Sequence, residues 1–402
     1  MNKLLEKINT ELENLKQLGK FKSEREIEGR QGAHVEIAGK DYIMFASNNY
    51  IGLANHPEIL KASSVYQEKY GYGLSSVRFL SGTQTIHRDL EKKLAEFLGT
   101  EDAILYSTNF MSNLGFFATI TNEPLGETTW RDAIYSDSLN HASIIDAFKL
   151  CKKENVDKRI YPHKDLKVLE NMLVEDMDKG YRFKIIVTDG IFSMEGDCAD
   201  LVGIKKLADK YDALIYVDDA HAVGVMGEDG SGTPSYTDTK GCIDIISGTF
   251  GKALGGAVGG YIASKKEIVE LLRQKSRTYL FSNSVPPAVV GASIRALEIL
   301  KENKNLISQA KENADYFRTK LKEAGMPILE GNHPIVPLMT HDANKNTNLS
   351  KALFERGVYA TGLSFPVVPE GEARIRFQIS ALHTKEDLDK TIGIIKEEYK
   401  KL

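Results

Sequence analysis

The stretch "FKIIVTDGIFSMEGDCADLVGIKKLADKYDALIYVDDAH", residues 183–221, decides the fold. Two short apolar runs, "FKIIVTDG" (183–190) and "ALIYVDDAH" (213–221), flank a helical stretch near 200–211. A short, continuous apolar run suits a strand buried on both faces, and parallel neighbours need a crossover helix between them. The pattern therefore predicts an α/β fold around a mostly parallel sheet. The second run ends in Asp218, Asp219 and His221, and open α/β sheets place their ligands at the carboxyl ends of strands.

Outward from this centre the chain reads as helices and strands in alternation. "NHPEILKASSVYQEKYG" (55–71) predicts a helix with Asn55 as cap, Pro57 in the first turn and Gly71 as stop. "TQTIHRDLEKKLAEFLG" (83–99) sets Ile86, Leu90, Leu94, Phe97 and Leu98 on one helical face and closes at Gly99. After "VPPAVVGAS" (285–293) a long helical region runs to about residue 323, followed by a strand-like "HPIVPLMT" (333–340) and a helix near 346–356. In "ARIRFQIS" (373–380), Ile375, Phe377 and Ile379 alternate with Arg374, Arg376 and Gln378, as along a strand. A last helix starts at Thr384, with Asp387 three residues on as in a capping box. The order predicts an N-terminal helix and short strand segment over 1–58, a large α/β domain over 59–290 and a smaller α+β domain over 291–402.

The chain has 402 residues, 42% hydrophobic and 27% charged, which is ordinary for a globular protein. Its net charge of −4 gives no general reason to expect a nucleic acid or an anionic membrane as partner. Near the start, Leu4, Leu5, Ile8, Leu12, Leu15 and Leu18 form a helical stripe that Gly19 would end. Acidic residues among them argue against a targeting peptide, and no apolar run approaches the ~18 residues of a membrane span. Cys151, Cys198 and Cys242 lack C-x-x-C spacing and read as reduced thiols, small buried residues rather than nucleophiles. A cytoplasmic setting is the expectation.

One lysine stands among small residues in "SGTFGKALGGAVGG" (247–260). A phosphate-binding P-loop would need glycine where Ile246 stands and a hydroxyl where Ala253 stands, so Lys252 does not read as a nucleotide-binding lysine. The other reading is covalent attachment of pyridoxal phosphate. That chemistry needs a carboxylate against the pyridine nitrogen, donors for the phenolic oxygen and phosphate, and a cover for the ring face. "VDDAH" offers two carboxylates and a histidine, and spacing alone does not choose between Asp218 and Asp219. No metal site is expected.

"TDGIFSMEGD", "YVDDAHAVGVMGEDGSG", "SGTFGKALGGAVGGYIA" and "YLFSNSVPP", in this order, closely resemble the α-oxoamine synthase family of fold-type I pyridoxal-phosphate enzymes. The resemblance runs from "FASNNYIGLANHP" to "ARIRFQISALHT" and is strongest to the glycine C-acetyltransferase branch. It implies a homodimer with its active site at the subunit interface, pyridoxal 5′-phosphate as cofactor, and glycine and acetyl-CoA as substrates. It also implies roles for residues. Lys252 is the attachment point and proton acceptor, Asp218 faces the pyridine nitrogen, His221 the phenolic oxygen, and His141 stacks on the ring. The backbone at Asn109 and Phe110 receives the phosphate, with hydroxyls from Thr249 and from Ser282 of a neighbouring subunit. Of Arg374 and Arg376, which share a strand face, the family motif selects Arg376 for the amino acid's carboxylate, assisted by Asn48 and Ser193. Arg374 reads as a surface ion pair.

Two stretches depart from that branch. "TNEPLGETTWRDA" (121–133), with the single tryptophan Trp130, is longer than the matching connection and reads as a surface insertion or as a substrate or subunit contact. "REIEGRQGAHVEI" (25–37) resembles serine palmitoyltransferases. A different acyl or amino-acid specificity, such as that of serine palmitoyltransferase or 8-amino-7-oxononanoate synthase, is the rival reading. A non-catalytic subunit is a remote one, since Lys252 and its partners are present.

Overall fold

The computed structural model of the chain describes residues 2–17 and 21–402. The N-terminal helix spans Lys3–Gln17, with Leu4, Leu5, Ile8 and Leu12 exposed along its stripe. Leu18 and the expected stop at Gly19 lie outside the described residues.

The chain then forms β1 (His34–Ile37) and β2 (Lys40–Met44) before reaching the large sheet. That sheet is built from β3 (Asp102–Tyr106), β4 (Asp132–Asp137), β5 (Val156–Tyr161), β6 (Lys184–Asp189), β7 (Leu214–Asp218), β8 (Ile245–Thr249) and β9 (Gly260–Ser264). Its order is β3-β9-β8-β7-β6-β4-β5. The strands β5, β4, β6, β7 and β8 run parallel, as the β6–helix–β7 unit predicts; β9 is antiparallel to β8 and β3.

Alternate residues of each strand face opposite layers. Tyr135, Ile186, Ile215 and Ile246 pack beneath the helices Thr85–Leu98, Leu166–Glu175, Leu201–Tyr211 and Pro287–Glu302. Ile134, Ile185, Tyr216 and Ile245 pack against the helices Asn109–Asn122, Ala142–Leu150 and Lys266–Lys275. Both faces are covered, which is why the strands read as unbroken apolar runs.

Later in the chain come β10 (Ile335–His341), β11 (Val358–Tyr359), β12 (Thr361–Leu363) and β13 (Ala373–Gln378). β13 lies between β10 and β12, while β11 pairs with β2, so residues from both ends of the chain share a three-stranded sheet. Ile43 and Phe45 accordingly pack in one cluster with Phe317, Leu338, Phe377 and Ile392.

Several local expectations change in detail. The helix Pro57–Tyr70 is capped by the His56 side chain, which accepts from the Glu58 N–H; Asn55 instead ends a short 3-10 turn. The long helical region is two helices, Pro287–Glu302 and Asn305–Glu323, because the chain leaves helical geometry at Asn303 (ψ 85°). The capping box at Thr384 and Asp387 forms in both directions, opening the helix Lys385–Tyr399. The thiols of Cys151, Cys198 and Cys242 are free, but only Cys151 is buried as expected; Cys198 is partly buried, and Cys242, in the turn before β8, is exposed.

The connection between the helix Asn109–Asn122 and β4 is held closely. Arg182 stacks on Trp130 and donates to the Asp132 carboxylate and to the Ile120, Glu123 and Pro124 carbonyls. It sits at the amino end of β4, roughly 20 Å from the strand's carboxyl end at about 3.3 Å per residue. Trp130 is thus remote from the cavities described next.

Candidate active site

The carboxyl ends of β6, β7 and β8 meet the starts of two helices around a cavity of about 190 Å³. Its lining includes Asn109, Phe110, His141, Asp218, His221, Thr249 and Lys252, so most residues singled out in the sequence stand together. Lys252 also lines an outer cleft of about 360 Å³, with Asn48, Ala54, Gly251 and Gly256. The lysine is the wall shared by the two spaces.

Adjacent aspartates on a strand end face opposite ways, and here the pair is sorted. Asp218 turns into the cavity, where Asn113 Nδ2 donates to it at 2.7 Å and Asn109 Nδ2 stands 3.1 Å from each oxygen. Tyr216 in turn donates to Asn113 Oδ1 at 2.6 Å, fixing that amide's orientation. Asp219 turns away and accepts the Thr233 N–H at 2.8 Å; burial pushes its carboxyl up to about 7. Only Asp218 is presented as a hydrogen-bonded carboxylate to a ligand.

Asp189 lies beside Asp218 in register and accepts the His141 N–H at 3.2 Å. Burial, and then the neighbouring Asp218, hold its carboxyl well above the usual range. His141 caps the helix Ala142–Leu150: its Nδ1 accepts from the Ser143 N–H at 3.2 Å, which leaves the ring proton on Nε2. Burial lowers its pKa. His221 is also held neutral, by burial first and then by Lys252 and Arg376. Its Nδ1 lies 2.9 Å from the Tyr50 hydroxyl, and its carbonyl accepts from His333 Nε2 at 2.8 Å.

Burial depresses the Lys252 amine to about 8; Asp218 and Asp189 oppose this and Arg376 adds to it. A lysine in this range supplies a neutral amine near physiological pH, as a nucleophile or a base requires.

The small residues around Lys252 do more than make room for a ligand. A Cβ at Gly260 would lie 2.2 Å from the Asn109 nitrogen, so this glycine lets the helix Asn109–Asn122 start against β9. That brings the first N–H groups of the helix, at Asn109 and Phe110, to the cavity, where they favour an anion. Gly256 faces the outer cleft across from Ala54. The Thr249 hydroxyl lines the cavity and is already engaged, donating to the Gly259 carbonyl and accepting from the Gly251 N–H, both at 3.0 Å.

On β13, Arg376 donates to the Ser193 carbonyl at 2.9 Å, while its Nε, although buried, has no protein partner. Arg374 is not a surface residue. It is fully buried, paired with Glu195 at 3.0 Å and Glu372 at 2.7 Å, because β13 is the central strand of its sheet. Asn48 Oδ1 accepts from Tyr50 and Gln378, which leaves its NH₂ as the group able to meet a carboxylate. Ser193 takes part through its backbone. Ser282 does not line this chain's cavity; its hydroxyl lies 3.6 Å from the Met111 sulfur.

A family model for aminotransferases of class I and II matches residues 40–395. The chain belongs to this family. Among curated members, the 2-amino-3-ketobutyrate coenzyme A ligase of Escherichia coli is 48% identical over 96% of this chain and 95% of its own length. The 8-amino-7-oxononanoate synthase of Thermoanaerobacter pseudethanolicus is 44% identical over 99% and 98%. A solved serine palmitoyltransferase from S. paucimobilis with bound PLP superposes with a TM-score of 0.89 at 28% identity, over 98% of this chain and 97% of that one.

The site of this class I and II aminotransferase relative fits pyridoxal 5′-phosphate on its own geometry. A lysine with a depressed pKa, a carboxylate held by two amides, and a helix start converge on one cavity, where the buried Asn109 Oδ1 also lacks a protein partner. Sequence reasoning missed Asp189, Asn113, Tyr50 and His333. Asn113 was findable, since it stands four residues after Asn109 and shares its helix face; the others depend on long-range packing.

Proposed function

We propose that the protein is a glycine C-acetyltransferase, joining glycine to acetyl-CoA to give 2-amino-3-oxobutanoate and coenzyme A. The observation that carries this reading is the convergence of Lys252, Asp218 and His141 on one cavity that shares Lys252 as a wall with a second cleft. The full-length likeness to 2-amino-3-ketobutyrate coenzyme A ligase supports the choice of substrates. A homodimer in the cytoplasm belongs to the same reading, with Ser282 serving the partner's site.

Bound pyridoxal 5′-phosphate supplies a protonated pyridine ring that takes up the electron pair left when the glycine carbon loses a proton. Lys252 anchors the cofactor and, once released, its neutral amine accepts that proton. Asp218, oriented by Asn109 and Asn113, keeps the pyridine nitrogen protonated. The N–H groups at Asn109 and Phe110 bind the phosphate, with Thr249 beside them. His221 would face the phenolic oxygen, and His141 would cover the ring and offer its Nε2–H to the thioester oxygen as that gains charge. Arg376 and the Asn48 amide hold the glycine carboxylate, and the bidentate fork fixes which Cα hydrogen meets Lys252.

A second reading has a specific basis in the 44% identity to an 8-amino-7-oxononanoate synthase. Coenzyme A release, measured with glycine, alanine and serine against acetyl-, pimeloyl- and palmitoyl-CoA, separates the two. Fastest turnover is expected for glycine with acetyl-CoA. Faster turnover of alanine with pimeloyl-CoA, or of serine with palmitoyl-CoA, would keep the chemistry and overturn the substrate assignment.

A further inference from the structure

The loop 190–198, between β6 and the helix Leu201–Tyr211, touches both arginines of β13. Its Ser193 carbonyl accepts from Arg376 at 2.9 Å, and its Met194 carbonyl and Glu195 carboxylate accept from Arg374 at 3.2 and 3.0 Å. On one side the loop is jammed against β10: a Cβ on Gly196 would meet the Ile335 carbonyl oxygen at 2.6 Å. On the other side it is clamped by a histidine.

His163 stands in the turn after β5. Its Nδ1 faces Asp137, at the end of β4, at 3.0 and 3.3 Å, and its Nε2 faces Asp197 of the loop at 3.1 Å. The ring also meets Phe192 of the loop edge to face, with centroids 4.3 Å apart. Lys164 donates its N–H to Asp137 and its ammonium to Asp197, both at 2.8 Å.

Two ring nitrogens that each face a carboxylate need two ring hydrogens, so His163 is an imidazolium. The charges around it are Asp137 from β4, Asp197 and Glu195 from the loop, and Lys164 from its own turn, with Arg374 of β13 behind Glu195. Burial works against the charged ring, but Asp137 and then Asp197 outweigh it and hold the pKa at about 9. Without its second proton, one nitrogen lone pair would oppose a carboxylate oxygen.

We propose that His163 is a positioning residue for the amino-acid substrate: as the cationic link between Asp137 and Asp197 it fixes the 190–198 loop, and the loop's Ser193 carbonyl sets the attitude of Arg376. The proposal rests on the reading of Arg376 as the carboxylate grip. Because the folded pKa lies above the ordinary histidine value, the link is complete at neutral pH and is lost as pH rises through about 9.

The test uses the cofactor-loaded enzyme and its His163→Gln, Arg376→Lys and double variants, with KM for glycine and for acetyl-CoA followed from about pH 7 to pH 10. Glycine's own amine titrates alike in every variant, so the difference between them is what is read. His163→Gln is expected to raise KM for glycine about tenfold near pH 7.5, with kcat within about twofold and KM for acetyl-CoA unchanged. It should also flatten the alkaline rise in glycine KM, and in the Arg376→Lys background it should add nothing. Asp197→Asn keeps the imidazole with one carboxylate fewer. It should move the alkaline limb to lower pH, and it decides the matter if His163→Gln does not fold.

A drop in kcat at constant KM, or a full tenfold rise persisting beside Arg376→Lys, overturns the proposal. If Arg376→Lys raises KM for glycine while neither His163→Gln nor Asp197→Asn alters it, the role of His163 alone fails. If Arg376→Lys leaves glycine KM unchanged, the grip itself is misassigned and the proposal falls with it.

Discussion

The two ends of the large sheet solve opposite problems. At the amino ends of the strands, charge is paired: Arg182 with the buried Asp132, Arg131 with Asp157, and the Lys184 ammonium with the Tyr211 carbonyl. At the carboxyl ends and the adjoining β13, buried Asn109 Oδ1 and Arg376 Nε have no protein partner. An unpaired buried polar group costs about 1–3 kcal/mol. One end therefore contributes stability, and the other gives some up in order to present groups to a ligand.

The comparison breaks most visibly at Lys252. Lys252→Ala should lower turnover by at least about 10⁴-fold while the protein stays folded, because no paired charge and no core volume is lost. Borohydride reduction of the cofactor-loaded enzyme and peptide mapping should place the phosphopyridoxyl group on Lys252; its recovery on another lysine would move the site. Next comes the aspartate pair. Asp218→Asn should cost about 10²–10⁴ in kcat. Asp219→Asn should cost less than about threefold in kcat, since an amide oxygen can still accept the Thr233 N–H. Because Asp219 titrates at about 7, well above an unfolded carboxyl, its ionisation opposes folding as pH rises through that range. Thermal stability of Asp219→Asn near pH 8 should then equal or exceed that of the parent. Equal or reversed effects on kcat would mean that the ring nitrogen is served by the other residue.

At the opposite end the signs exchange. Arg182→Ala leaves Asp132 buried and unpaired, so denaturant unfolding should register a loss of about 3 kcal/mol, with kcat of the folded fraction unchanged. The smallest effect sharpens the contrast through pH. With the Lys252 amine at about 8, uptake of pyridoxal phosphate by cofactor-free protein should accelerate roughly tenfold between about pH 7 and pH 9. A flat profile would mean that the burial of this lysine does not control its reactivity.

What was legible in the sequence follows the same division. Strand existence was written in the apolar runs, and helix ends at Gly71, Gly99 and Thr384 were written in caps, because each is decided within a few residues. Spacing alone could not tell Asp218 from Asp219, a choice that rested on the family resemblance, nor could Arg374 be read as buried. Those outcomes depend on Thr233, Glu195 and Glu372, and on where β13 sits in its sheet. The His56 cap and the break at Asn303 are local, but they come from residue types with weak positional preference. The antiparallel β9 and the union of β2 with β11 are fixed by tertiary packing.

That last union has a bearing on how the molecule comes into being. β2 is made some three hundred residues before β11, with which it pairs, while Arg376 meets the Ser193 carbonyl only once β13 has been added between β10 and β12. During synthesis the cavity end of the large sheet can form well before the strand that carries the arginine has been translated. If Arg376 is the carboxylate grip proposed above, a nascent chain takes up an anion before it can hold an amino acid.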